Sequence, residues 1–150
     1  MAVIDGSATK RDVNMNELKK PRERCELVWS ERLDGVAETA GGTIDVGERG
    51  EWTPAQILFT AVQASLMIEF MRLARATGLE VKGYRSSATA RGQHLDRIAV
   101  SPCIALAREC DRRRALKALG GARERSVLCQ ILRDRLVVDP CCVVSSAELV

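Results

Sequence analysis

At 150 residues the chain has the size of one domain, and a hydrophobic content of 46% excludes a wholly disordered polypeptide. Aromatic residues make up only 3%, so the core has to be built from Leu, Ile, Val, Ala and Met. A net charge of +3 selects no partner by itself, although nine Lys or Arg stand against four Asp or Glu between Arg108 and Arg135.

In chain order, residues 1–20 are polar and without period, which predicts an N-terminal arm ahead of a domain over 21–150. Met1 to Asp12 holds no apolar segment of the secretory kind. Cys25-Glu26-Leu27-Val28-Trp29 predicts a first strand. The glycines at 35, 41, 42, 47 and 50 then cut the chain into short segments, with Val36–Thr39 and Thr43–Val46 as strands of a meander.

Thr53-Pro54 is a strong helix start, because Thr53 can cap free amides and Pro54 lacks an N–H where none is needed. From Ile57 to Ala74 apolar residues cover nearly every face, which predicts a buried helix, and Gly78 supplies a left-handed end. A helix of that kind needs more cover than one small sheet provides, so a second copy of the chain is expected. Its longest apolar stretch, Ile57 to Ile68, is interrupted by Thr60, Gln63 and Ser65 and falls short of the ~20 residues of a membrane span. The expectation is a soluble, cytoplasmic protein without a membrane partner.

Two strands follow, Val81–Ala90 and Leu95–Leu106, joined by a turn at Arg91-Gly92-Gln93. In the second, Ile98, Val100, Ile104 and Leu106 keep a period of two, and Pro102 implies a sheet edge or a bulge. Next come a helix from Asp111 to Leu119, stopped by Gly120-Gly121, and another from Ala122 to Leu132. A last strand, Leu136–Val144, is broken at Pro140. Strands, long helix, strands, helices and strand make an α+β order.

Six cysteines and one histidine give no zinc-knuckle spacing, so no metal is expected. The cysteines read as small core residues in a reducing compartment. Arg112-Arg113-Arg114, with two glycines between the helices, raises a helix-turn-helix reading, but the rest of the chain is not basic and has few aromatics to stack bases. Nucleic acid binding is therefore the third reading, behind a solvated helix face. Ser65 lacks a G-x-S-x-G setting and His94 an evident carboxylate, which sets a serine hydrolase aside.

Trp52-Thr53-Pro54-Ala55-Gln56-Ile57-Leu58, the apolar helix behind it, Ala74-Arg75-Ala76-Thr77-Gly78-Leu79, Leu95-Asp96-Arg97-Ile98-Ala99-Val100 and Arg123-Glu124-Arg125-Ser126-Val127-Leu128-Cys129 together resemble the OsmC/Ohr family of osmotically inducible and organic-hydroperoxide-resistance proteins. The resemblance spans about residues 24–144. It implies an intertwined homodimer with long central helices packed between β-sheets and active sites at the subunit interface. It also implies organic hydroperoxide reduction by a cysteine thiolate and a second cysteine, with no cofactor.

The chain departs from that pattern where the chemistry lies. The positions of the two family cysteines are Ser65 and Ser126, the family glutamate position is Ala55, and Arg32 or Arg49 would have to supply the arginine. Oxygen cannot climb to a sulfenic acid and return, so the family reaction is expected to be lost. Gln63, Ser65, Ser126 and Cys129 are then candidates to line a remnant pocket for a small molecule. The bland alternative is that Ser65 bonds back to its own helix and Gln63 faces a gap. Cys129 is the candidate substitute thiol for a surviving peroxidase, three residues beyond Ser126 on the same helical face.

Overall fold

A computed structural model of the chain describes residues 25–31, 34–48, 52–92 and 95–145. Arg32, Arg49, His94 and the whole 1–20 arm lie outside the described residues. The chain divides between Thr53 and Pro54 into two compact units.

The first unit is an antiparallel meander of β1 (Cys25–Glu31), β2 (Asp34–Thr39) and β3 (Gly42–Gly47), as the glycine punctuation predicts. The β2–β3 turn needs Gly42, whose φ of +136° suits no L side chain. Thr39 ties that turn together, accepting from Gly41 N–H at 3.1 Å and donating to the Gly42 carbonyl at 3.3 Å. Trp52 bridges back to β3 beside Val46.

The second unit is built on α1 (Pro54–Ala76). Gly78 ends the helix at φ +67°, and Leu79 N–H reaches back to the Ala74 carbonyl at 2.9 Å. Then come β4 (Val81–Arg91) and β5 (Arg97–Leu106), a tight turn at Glu109–Asp111, α2 (Arg112–Arg125), α3 (Val127–Ile131), β6 (Leu136–Val138) and β7 (Cys141–Val144). β4 pairs antiparallel with one side of β5, while β6 and β7 both pair parallel with the other. The helices between β5 and β6 provide the crossover that parallel pairing requires.

The even residues of β5 (Ile98, Val100, Ile104 and Leu106) join a single core with Val62, Leu66, Phe70 and Ala74 of α1 and Ala115, Leu119 and Ala122 of α2. Within this chain α1 is buried along that one stripe of every fourth residue rather than all round. Met67 and Ile68 on its other side are 38% and 45% exposed. The length and composition of α1 would let it cross a membrane, but its buried stripe shows the same apolar content serving a protein core.

Pro102 is neither at an edge nor at a bulge. β5 is an inner strand, and Pro102 stands in regular register opposite Ser86. Even residues of β5 turn their backbone toward β6 and β7: Ile98 N–H bonds the Arg135 carbonyl, and the Val100 carbonyl accepts from Asp139 N–H. The missing N–H of Pro102 therefore points into the break between β6 and β7, where Pro140 also lies, and no ladder bond is lost.

α2 also runs through Gly120-Gly121 instead of stopping there. A β-carbon at Gly121 would sit 3.1 Å from Leu73 Cδ1, so the glycine lets α2 approach α1 closely. The helical break comes later, at Ser126, whose ψ of 116° is extended; Ala122 accordingly belongs to α2. The cysteines are mostly not core residues. Only Cys129 and Cys142 are buried; Cys103 is half-buried, and Cys25, Cys110 and Cys141 are exposed.

Candidate functional site

Ser126 is placed by the junction it creates. Its N–H closes α2 on the Ala122 carbonyl at 2.8 Å, and its carbonyl opens α3 by accepting from Gln130 N–H at 3.0 Å. Its hydroxyl caps α3, accepting from Cys129 N–H at 3.2 Å. That leaves one direction for the buried oxygen, and Ser65 on α1 fills it. The two hydroxyl oxygens are 2.7 Å apart, a normal O–H···O bond. Ser65 thus does not bond back along its helix. Thr60 does so instead, donating to the Gln56 carbonyl at 2.8 Å.

The structure brings Ser65, Ser126 and Cys129 into one hydrogen-bonded chain and leaves Gln63 outside it. Gln63 donates to the Phe59 carbonyl at 3.2 Å and accepts from Ser86 of β4, so its amide is satisfied within its own chain. The Cys129 side chain is fully buried. Ala55 is half-buried at the start of α1, whose first turn carries no acidic residue.

Sequence reasoning missed Tyr84. Its ring packs on Phe70 with centroids 5.7 Å apart, and its hydroxyl is buried without a hydrogen-bond partner. Burial, then the neighbouring Cys129, push the phenol pKa up to about 12. Its position on β4 between Gly83 and Arg85 carries no signal of this.

The arginine run is largely held by local partners. Arg112 donates to Glu109 and to the Cys142 carbonyl. Arg114 donates to Asp111 and the Thr77 carbonyl, and Arg108 also pairs with Asp111. Asp111 is buried, and although burial alone would raise its pKa, these two guanidinium groups hold its carboxyl below the usual range. These arginines fasten the start of α2 to the rest of the unit.

No protein-family model matches the chain, and no curated protein matches it. Solved structures do, and they define its class: the chain has the OsmC/Ohr fold, an α+β arrangement with a long central helix and two sheets. It is similar to the OsmC-like protein of Mycoplasma pneumoniae, at 11% identity and a TM-score of 0.67 over 84% of this chain and 98% of that one. An OsmC-like protein of unknown function from Vibrio cholerae matches at 13% identity and 0.67 over 78% and 97%. The organic hydroperoxide resistance protein OhrB of Bacillus subtilis matches at 14% and 0.59 over 80% and 98%. At such identities the likeness is one of fold.

Proposed function

We propose that this is an OsmC-like homodimer without thiol peroxidase activity, which keeps the surroundings of Ser65 and Ser126 for binding a small molecule. One observation carries the reading. The two positions where the resemblance places sulfur are in direct contact across α1 and the α2–α3 junction, and both carry oxygen. Two hydroxyls 2.7 Å apart can hold and relay a proton or bind a polar ligand. They cannot give electrons to a peroxide. Ala55 supplies no carboxylate to activate a nucleophile. The exposed side of α1, with Met67 and Ile68, supports a second copy of the chain as its cover.

A peroxidase using Cys129 is the second reading, and the burial of that thiol among core side chains weighs against it. The arginine pairs at the start of α2 likewise weigh against nucleic acid binding.

Organic hydroperoxide consumption with a dithiol reductant tests the reading. The wild type is expected to match its Cys129→Ser variant at the uncatalysed rate; turnover that disappears in the variant establishes the second reading. Gel filtration with light scattering is expected to give a dimer, and a monomer would remove the cover proposed for α1.

A further inference from the structure

Cys103 and Cys141 stand directly opposite each other where β5 pairs with β7. Residues paired in neighbouring strands lie on the same face, and here it is the face opposite the core, because Ile104 and Cys142, the next pair along, point inward. As directly paired residues, their side chains are neighbours on that face. Cys141 is open to solvent and Cys103 half-buried. Strands sit about 4.8 Å apart, within the Cα separation of roughly 4.4–6.8 Å that a disulfide spans.

We propose that Cys103 and Cys141 form a reversible redox pair, which closes to an intramolecular disulfide by exchange with a glutathione-type small disulfide. Neither Ser65 nor Ser126 enters this chemistry, so it stands apart from the reading of the serine pair.

The chemistry follows from the placement of the two sulfurs. The Cys141 thiolate attacks one sulfur of oxidised glutathione; that S–S bond breaks, and one glutathione leaves as a thiolate and takes up a proton. Cys103 then gives its proton to solvent and attacks the Cys141 sulfur of the mixed disulfide, expelling the second glutathione. Two protein thiols lose two electrons, and one small disulfide gains them to become two thiols. Cys141 is the entry point because it is exposed. Cys103 is the resolving thiol: burial, and then the neighbouring Cys141 thiol, push its pKa up, while Arg85, its partner on β4, acts in the opposite direction. A half-buried thiol of raised pKa attacks an outside disulfide slowly, yet it stands in register opposite the cysteine whose sulfur it must reach.

The two prolines flank the pairing. Pro102 and Pro140 lie at the same break in the sheet, and each is followed at once by its cysteine, so the ladder restarts with the two thiols abreast.

The test uses the full chain, freshly reduced and equilibrated in glutathione buffers of increasing oxidised fraction. The wild type is expected to lose two thiols without retaining glutathione, and tandem mass spectrometry of its peptides to place the link between 103 and 141. Cys103→Ser is expected to trap a glutathione adduct on Cys141, and Cys141→Ser to give neither link nor adduct at 103. Cys142→Ser, if circular dichroism shows it folded, is expected to keep the link. A lasting adduct on Cys141 in the wild type, a link through any other cysteine, or no reaction would each overturn the proposal.

Discussion

Ser65 and Ser126 are 61 positions apart in sequence and share a hydrogen bond 2.7 Å long. One is carried by the middle of α1. The other is the residue at which α2 ends and α3 begins, so the bond ties α1 to the α2–α3 junction.

That contact sets the geometry for a cross-link. Oxygens this close put the β-carbons roughly 3.5–5 Å apart, a range that overlaps the ~3.5–4.5 Å of disulfides. The double variant Ser65→Cys/Ser126→Cys is therefore expected to form a 65–126 disulfide under mild oxidation. Peptide mapping checks it, with Cys103→Ser as background. A double variant whose two new thiols both stay free to alkylation would show that the serine contact does not persist in solution.

The same bond has a stabilising role. Ser126→Ala strands the Cys129 amide and the Ser65 hydroxyl in a buried setting, and its expected cost is about 2 kcal/mol. Ser65→Ala leaves the cap intact and is expected to cost about half as much, near 1 kcal/mol. Urea denaturation of the two single variants and the double variant separates the cap from the hydroxyl pair.

Tyr84 is the single tyrosine, so phenolate absorbance reports it alone. Its midpoint is expected about two pH units above an ordinary phenol, near 12. Because the folded state holds the protonated form more tightly, this contribution to stability is full below pH ~10 and falls as pH rises toward 12. Tyr84→Phe keeps the ring on Phe70 and removes a hydroxyl without a partner. It is expected to be neutral or stabilising by up to about 1 kcal/mol.

Asp111 responds to acid. Its pKa is depressed in the folded chain by Arg108 and Arg114, so its contribution is present above the unfolded carboxyl value and disappears as pH falls through the folded one. Thermal melts between neutral and strongly acid pH are expected to fall less steeply for Asp111→Asn, which starts from a lower plateau. Parallel curves for variant and wild type would show that the two arginines do not hold the carboxylate in solution.

The glycine pair in α2 predicts different outcomes at adjacent positions. Gly120 faces open space, and Gly120→Ala is expected to stabilise by roughly 0.5–1 kcal/mol through helix propensity. At Gly121 the added carbon meets Leu73 at 3.1 Å, and the packing strain is expected to cancel that gain. Chemical denaturation of both variants gives the comparison directly.

The sequence by itself determined the local elements. Pro54 and Gly78 bound α1, the glycines mark out the meander, and Pro140 divides the last strand, because each acts through backbone geometry within a few residues. Gly120-Gly121 reads equally well as a helix stop, and only the approach of Leu73 shows why α2 continues through it. The placement of Ser65 against Ser126 was legible through the resemblance alone, since nothing in either neighbourhood announces the other. Which thiols meet was not legible at all, although Pro-Cys occurs twice. Cys103 and Cys141 become neighbours only when a crossover of two helices lays β7 parallel to β5. The register of that pairing is set by the whole core, not by residues near either cysteine.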